Sequence, residues 1–470
     1  MDLYDDIVGW MNNLLWGGHD WLQGFGLLVP LILGVGLYLT ILLRGLQFTK
    51  LFHALWLALV KRKEEGAEGD IVHYQALTVA LAATVGVGNI AGVGTAIALG
   101  GPGALFWMWI TGLVGMATKY SEAHLGVRFR VTDANGEQGG GPMFYLSNGI
   151  RNNWGKVLGI LFAVFGAIAA FGIGNMIQAN SVADSLDEEW GVPMWVTGLV
   201  LMLVAAVVIL GGIKAIGRFT AAFVPFMAIF YCLAATVILL INVGDLPGAL
   251  GTIFTDAFTG TDAVAGGFVG AGFLAVLRFG VARGVFSNES GLGTGGIAAA
   301  AAQTSNPTRQ ALVSMTQTFL DTLVVVSFTG LVIVTTGVWR EGETGAALTT
   351  IAFREGLPGD WGGAIVALGV VFFAFSTLLG WSYYGDRCVL FLFGERAIVP
   401  YRVVFIVVIF FGAVAALEQV WAFGDMMNAL MALPNLIGLV VMSLLVKRES
   451  FQFFSNPEWK LVTVKPDTTA

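Results

Sequence analysis

The chain has 470 residues, of which 56% are hydrophobic and 12% charged, and its formal net charge is −7 at neutral pH. A soluble domain carries about 25% charged residues, so half that charge excludes an ordinary soluble fold and implies apolar surface covered by lipid. Two cysteines and four scattered histidines exclude a disulfide framework and a metal cluster.

The acidic start MDLYDDIVGW lacks the basic lead of a cleavable signal peptide, so the first apolar run is expected to be retained. Runs long enough to cross the hydrocarbon core fall at roughly 25–44, 71–99, 103–123, 156–181, 192–211, 219–242, 263–303 (broken), 310–338, 360–393, 402–417 and 420–446. That pattern predicts an all-α polytopic membrane protein with about eleven transmembrane helices. The lipid bilayer is its solvent, and nothing in the charge pattern suggests nucleic acid.

Arg44, Lys50 and Lys61-Arg62-Lys63 follow the first run, and Arg128, Arg130, Arg151 and Lys156 lie between the third and fourth. Further on come Lys214 and Arg218, Arg309, Arg396 with Arg402, and Lys447 with Arg448. These are alternate loops, so one side is basic and therefore cytoplasmic. The opposite loops carry Asp184, Asp187, Glu188, Glu189 and Asp245. An odd span count then puts the N-terminus outside and the C-terminus in the cytoplasm of a multi-pass cell membrane protein.

Inside the second run, ATVGVGNIAGVG (83–94) holds Gly86, Gly88, Gly92, Gly94 and a lone Asn89. Each glycine costs a helix up to about 1 kcal/mol relative to alanine. Five spans later, residues 265–296 are again glycine-laden and carry Arg278, Arg283 and Glu289 at membrane depth. Glycine-interrupted segments at matching places in two halves point to a transporter built from inverted repeats. The division expected is 1–65 for an extra helix and basic loop, 66–245 and 246–447 for two inverted five-helix repeats, and 448–470 for a cytoplasmic tail.

Unwound backbone survives in lipid only where protein, water or a ligand satisfies it. Exposed carbonyls suit a small cation, and the amides of the following half-helix suit a carboxylate. The competing explanation is that the glycines let helices pack closely.

Other candidates follow from helical spacing. Phe171, Asn175 and Gln178 share a face, as do Thr377, Trp381 and Tyr384. The adjacent hydroxyls of Ser376 and Thr377 make a hard-oxygen cation site or bond back to their own helical turn. Asp321 could pair with a neighbouring span, join a cation path or carry a proton. Arg278, Arg283 and Glu289 are expected in internal pairs that lock or gate the broken helix.

GGPGALFWMWITGLVG (100–115) resembles, nearly position by position, the signature of the alanine or glycine:cation symporters, the sodium:alanine symporter family. VGVGNIAGVGTAIALGGPGALFWMW and RGVFSNESGLGTGGIAAAAAQT look like the same family, and the resemblance covers about residues 25–445. It implies uptake of small neutral amino acids (alanine, glycine, serine or D-alanine) with Na+ as the coupling ion and no organic cofactor. It also implies a leucine-transporter-type 5+5 inverted repeat with one extra N-terminal helix; separately, the chain is expected to function as a monomer.

Carried onto this sequence, the resemblance places sodium among the carbonyls of Ala82, Val85 and Phe373 and the hydroxyls of Ser376 and Thr377. The substrate carboxylate meets amides around Val87, Gly88 and Asn89. Its ammonium meets carbonyls near Thr84 and near a second break at Phe279–Gly280, and Gln178 and Trp381 close the pocket. Proton coupling through Asp321 or Glu289 is the alternative, and an ion channel a weaker one, since no filter-like repeat is present. No HExxH motif or nucleophile elbow supports an enzyme.

Overall fold

A computed structural model describes residues 2–17, 26–64, 66–134, 136–260, 269–415 and 417–461. Residues 25, 263–268 and 416, at the edges of expected spans, and 462–470 of the expected tail lie outside the described residues. The described chain is almost entirely helical; a two-stranded hairpin pairs Val131–Thr132 with Gln138–Gly139.

Helices lie over each apolar run. In chain order they are α1 Asp2–Trp16, α2 Leu28–Leu42, α3 His73–Thr84, α4 Ala91–Gly100, α5 Gly103–Arg128, α6 Asn153–Trp190, α7 Met194–Ile209 and α8 Gly212–Ile241. The second half supplies α9 Val269–Asn288, α10 Thr294–Ala300, α11 Pro307–Thr336, α12 Trp361–Phe393, α13 Ile398–Val414 and α14 Leu417–Ser455. Six helices among the described residues are long and apolar enough to cross a membrane unaided. Of the others, α1, α2 and α7 are only 15, 15 and 16 residues long, the run of α3 and α4 is interrupted, and α5 buries Lys119, Glu122 and His124.

The outer helices show where lipid lies. On α8, Phe226, Ile229, Leu233 and Leu240 form an exposed stripe at helical spacing. Val399, Val403 and Val407 do the same on α13. Apolar surface this continuous is stable only when covered, and on helices long enough to cross a membrane lipid is the cover expected. By contrast, α12 is buried on nearly every face from Phe373 to Cys388, so the broken helices pack against a helix that lipid does not reach.

At the basic end, the segments leading into α3 and out of α10 zip together. Ile71 and Ala302 form a parallel bridge, with Gln303 N–H donating to Ile71 O at 2.7 Å and Asp70 N–H to Ala301 O at 2.9 Å. The Arg130 guanidinium clamps the carbonyls of Glu68, Ala302 and Thr304. Beside them, Glu64 accepts from Arg309, Ser305 and Thr304.

Burial pushes the Glu64 carboxyl up, but His73 3.4 Å away, the Ser305 hydroxyl and the Arg309 charge outweigh it and hold it at about 2. A carboxylate held low stabilises the fold above its ordinary value of 4.5 and loses that contribution as pH falls towards 2. Removing one partner of a buried ion pair costs roughly 3–5 kcal/mol. Glu64→Ala should therefore lower the melting temperature in detergent at pH 7, and the gap from the unsubstituted protein should narrow below about pH 4.5. Differential scanning fluorimetry across pH checks both.

Candidate functional site

The α3 helix stops at Thr84 because Gly86 is fully extended, with φ −136° and ψ −157°, and Val87–Asn89 turn once before α4 begins. Three side chains replace the lost helical bonds. The Gly86 N–H donates to Asn89 Oδ1 at 2.9 Å, the Val87 N–H donates to Gln178 Oε1 at 3.2 Å, and Asn89 Nδ2 donates to Asp321 Oδ1 at 2.7 Å. Gln178 can reach because α6 widens into a π turn over Gly172–Met176, and its Nε2 bonds Ile173 O at 3.0 Å.

Facing the break is the buried middle of α12. Ser376 Oγ lies 3.2 Å from Ala82 O, 3.3 Å from Val85 O and 2.8 Å from Phe373 O. Thr377 Oγ1 lies 3.1 Å from both Ala82 O and Phe373 O. Five oxygen atoms from two helices thus converge, all on buried residues. Back-bonding and the cross-helix contact are both present, so the two sequence readings of Ser376-Thr377 do not exclude one another.

Two glycines allow this approach. A Cβ on Gly86 would sit 2.4 Å from Thr377 Oγ1, and one on Gly380 would sit 2.6 Å from Ala83 Cβ. Close approach is the requirement here, and only glycine meets it.

The structure gathers Ala82, Thr84, Val85, Val87, Gly88, Asn89, Gln178, Phe373, Ser376 and Thr377 around one break. Thr84 turns its hydroxyl back to Ala80 O and accepts from Gln317. Trp381, a turn beyond Thr377, packs its ring against Gly174 and edge-on to Tyr384. It links the π turn of α6 to the neighbourhood of Glu289.

Phe279 and Gly280 do not join the site. The α9 helix runs unbroken through both, and the interruption comes at Glu289–Gly293, where φ is +56° at Glu289, +96° at Gly291 and +89° at Gly293. Gly280 is there for packing: its missing side chain admits Ala104 O and Trp107. The shared face expected for Asn175 and Gln178 is also lost. The π turn rotates Asn175 away to donate to Phe405 O at 2.7 Å.

Among the described residues, the buried charges beside the two breaks fall into three groups, while Arg278 lies over the Phe279 ring. Asp321, in a π turn of α11, accepts from Asn89, Ser287 at 2.8 Å and Thr322 at 2.8 Å, and so ties the first break to the residue just before the second. Arg283 pairs with Asp425 at 3.4 Å and lies over the stacked rings of Phe286 and Trp421. At the second break, Glu122 Oε1 accepts from Gly291 N at 2.9 Å, Gly293 N at 3.0 Å and Asn435 Nδ2 at 2.8 Å. Lys119, Glu122 and Asn435 escaped the sequence reading, although two opposite charges three residues apart inside the run 103–123 were a usable signal.

A cavity of about 460 Å³ opens from the acidic end, lined by Asp184, Glu188, Arg283 and Trp421 and reaching Ala91, two residues past Asn89. The Phe286–Trp421 stack, with Phe286 against Gly88, separates it from the first break.

Comparison with known proteins adds a family. Residues 1–462 match the model of the sodium:alanine symporter family. A sodium/alanine symporter of Methanococcus maripaludis is 51% identical over 452 residues, covering 95% of this chain and 96% of that protein. A probable sodium/glutamine symporter of Bacillus subtilis is 36% identical over 94% of this chain and 89% of its own length. A putative sodium/proton-dependent alanine carrier of the same organism is 34% identical over 93% and 90%. The fold is similar to that of a mutant manganese transporter of Eremococcus coleocola at a TM-score of 0.52 and 14% identity, covering 82% of this chain and 87% of that one.

Overpacking a tight contact costs roughly 1–3 kcal/mol, about one to two orders of magnitude in a binding constant. If these oxygens hold a cation, Gly86→Ala should push Thr377 off Ala82 and raise the cation concentration needed for a given thermal stabilisation by that factor. Melting curves titrated with NaCl against KCl measure it.

Proposed function

Because the chain belongs to the sodium:alanine symporter family, we propose that it imports small neutral amino acids by alternating access, driven by the Na+ gradient. The observation that carries this reading is the convergence of five hard oxygens where α3 breaks. Carbonyl and hydroxyl oxygens suit Na+, and here they are donated by Ala82, Val85, Phe373, Ser376 and Thr377. Family membership supports a transporter rather than an enzyme, in a multi-pass membrane setting.

In this reading the substrate carboxylate sits at the start of α4, where amides of Val87, Gly88 and Asn89 and the positive end of the helix favour an anion. Binding replaces Gln178 Oε1 on the Val87 N–H, which frees the Gln178 side chain to close over the substrate. The ammonium group meets carbonyls near Thr84. Trp381 bounds the far wall and leaves room for a small side chain. Phe279 and Gly280 have no part in it.

The remaining architecture follows from the same premise. Eleven spans form a leucine-transporter-type fold, with an extra helix in 1–65 and inverted repeats in 66–245 and 246–447. The basic latch faces the cytoplasm, and the acidic cavity faces outside in a cytoplasmic membrane. A monomer suffices, since both breaks lie within one chain.

A second reading, proton coupling, draws on Asp321. It is fully buried among neutral donors, and such a carboxylate can carry a proton. Uptake of labelled alanine into proteoliposomes under an inward Na+ gradient, against K+ at matched pH, separates the two. Accumulation only with Na+ is expected; equal accumulation driven by a pH gradient alone would shift coupling to Asp321. Ser376→Ala combined with Thr377→Ala should raise the Na+ concentration for half-maximal uptake at least tenfold, about 1.4 kcal/mol. An unchanged Na+ dependence would remove the five-oxygen site.

A further inference from the structure

The two breaks are held differently. At the first, the main-chain donors of Gly86 and Val87 are met by neutral side-chain oxygens, which a ligand can displace. At the second, both a cation and an anion from α5 are already in place. The Glu122 carboxylate takes the Gly291 and Gly293 N–H groups, and the Lys119 ammonium donates to Glu289 O at 3.1 Å. The two charges are 3.8 Å apart and wholly buried.

This is the pattern the proposed substrate would make at the first break: a carboxylate on loop amides and an ammonium on a released carbonyl, side by side. We infer that Lys119 and Glu122 are positioning residues that fill the second break as a permanent, chain-tethered zwitterion. The comparison with substrate rests on the function proposed above; the occupancy of the second break does not.

Three further features agree. Glu289 adopts a left-handed φ of +56°, which for a non-glycine residue costs of order 1–2 kcal/mol and persists only where surroundings enforce it. The Lys119 bond to its carbonyl and the 2.6 Å bond from Thr294 Oγ1 to its carboxylate supply that enforcement. Next, glycines on both segments let α10 lie directly against α5: a Cβ on Gly295 would lie 2.4 Å from the Lys119 side chain, and one on Gly126 would lie 2.3 Å from Gly296 O. Last, Asn435 of α14 bonds both Glu122 and Gly291 O at 2.8 Å, fixing the carboxylate in place.

The consequence is a division of labour. Because its own tether satisfies the second break, that break keeps one shape with or without substrate, and only the first responds to ligand. The α5 and α10 segments should then move as one body during transport.

The test is anion rescue in the full-length protein. Glu122→Ala removes the carboxylate and leaves a cavity beside Lys119 sized for a small anion. Sodium formate at tens of millimolar, against matched sodium chloride, should raise its melting temperature and leave the unsubstituted protein unchanged. This readout does not require transport, so it stands even if the uptake assay fails.

In proteoliposomes, Glu122→Gln keeps an acceptor for the two amides but removes the negative charge 3.8 Å from Lys119. Its maximal uptake rate should fall about tenfold, while half-saturating alanine stays within about twofold, the signature of an interaction outside the ligand's own contacts. Two results would overturn the inference: no formate response in Glu122→Ala, or a rise in half-saturating alanine with unchanged maximal rate in Glu122→Gln. If Glu122→Ala does not fold, the Glu122→Gln rate split decides alone.

Discussion

In lipid an unpaired peptide group has no water to turn to, and leaving one unsatisfied costs several kcal/mol. That constraint governs the structure around Val85–Ile90. Once glycine and Asn89 interrupt the helix, the freed donors and acceptors find partners within the turn or on another element. The partners come from α6, α11 and α12: Gln178 on Val87, Asp321 on Asn89, Ser376 and Thr377 on Ala82 and Val85. The break therefore dictates the packing, because three helices must present polar atoms at fixed heights. Gly174, Gly380 and Gly86 are small so that they can.

A break whose main-chain donors are met by neutral side chains is held firmly enough to persist and loosely enough to exchange partners. Both properties suit the ligand site proposed above. Asp321 ties the two breaks together, since one carboxylate grips Asn89 beside the first break and Ser287 ahead of the second. The ends differ as well. The basic end is zipped by Ile71 with Ala302 and by Arg130, whereas the acidic end admits a cavity down to Ala91. The conformation described is open towards its acidic face and latched at its basic one.

Much of this was legible before any coordinates. Apolar run length locates the helices because the thickness of lipid imposes it, and ATVGVGN reads as a break because so many glycines would not otherwise be placed in a crossing helix. Ser376 and Thr377 were readable as adjacent hydroxyls on an apolar helix.

The second break was misplaced for a physical reason: glycine serves both unwinding and close packing, and composition does not distinguish them. In α9, Gly280 and Gly284 make room for Ala104 and Thr111, while the actual interruption begins at Glu289, a residue with no intrinsic preference for a left-handed backbone. The π turns of α6 and α11 were invisible for a similar reason. They insert a residue into the helical register, so Asn175 and Gln178 part company although their spacing puts them together. Lys119 and Glu122 stand out as opposite charges in an apolar run, but nothing in their spacing ties them to a break in another helix.

The measurement that bears most directly on the central claim is a high-resolution structure of the protein with alanine in NaCl. The account predicts an ion among Ala82 O, Val85 O, Phe373 O, Ser376 Oγ and Thr377 Oγ1, with the substrate carboxylate on the amides of Val87–Asn89 and the second break unchanged around Glu122. Substrate density at Glu289–Gly293, or an ion away from those five oxygens, would contradict it.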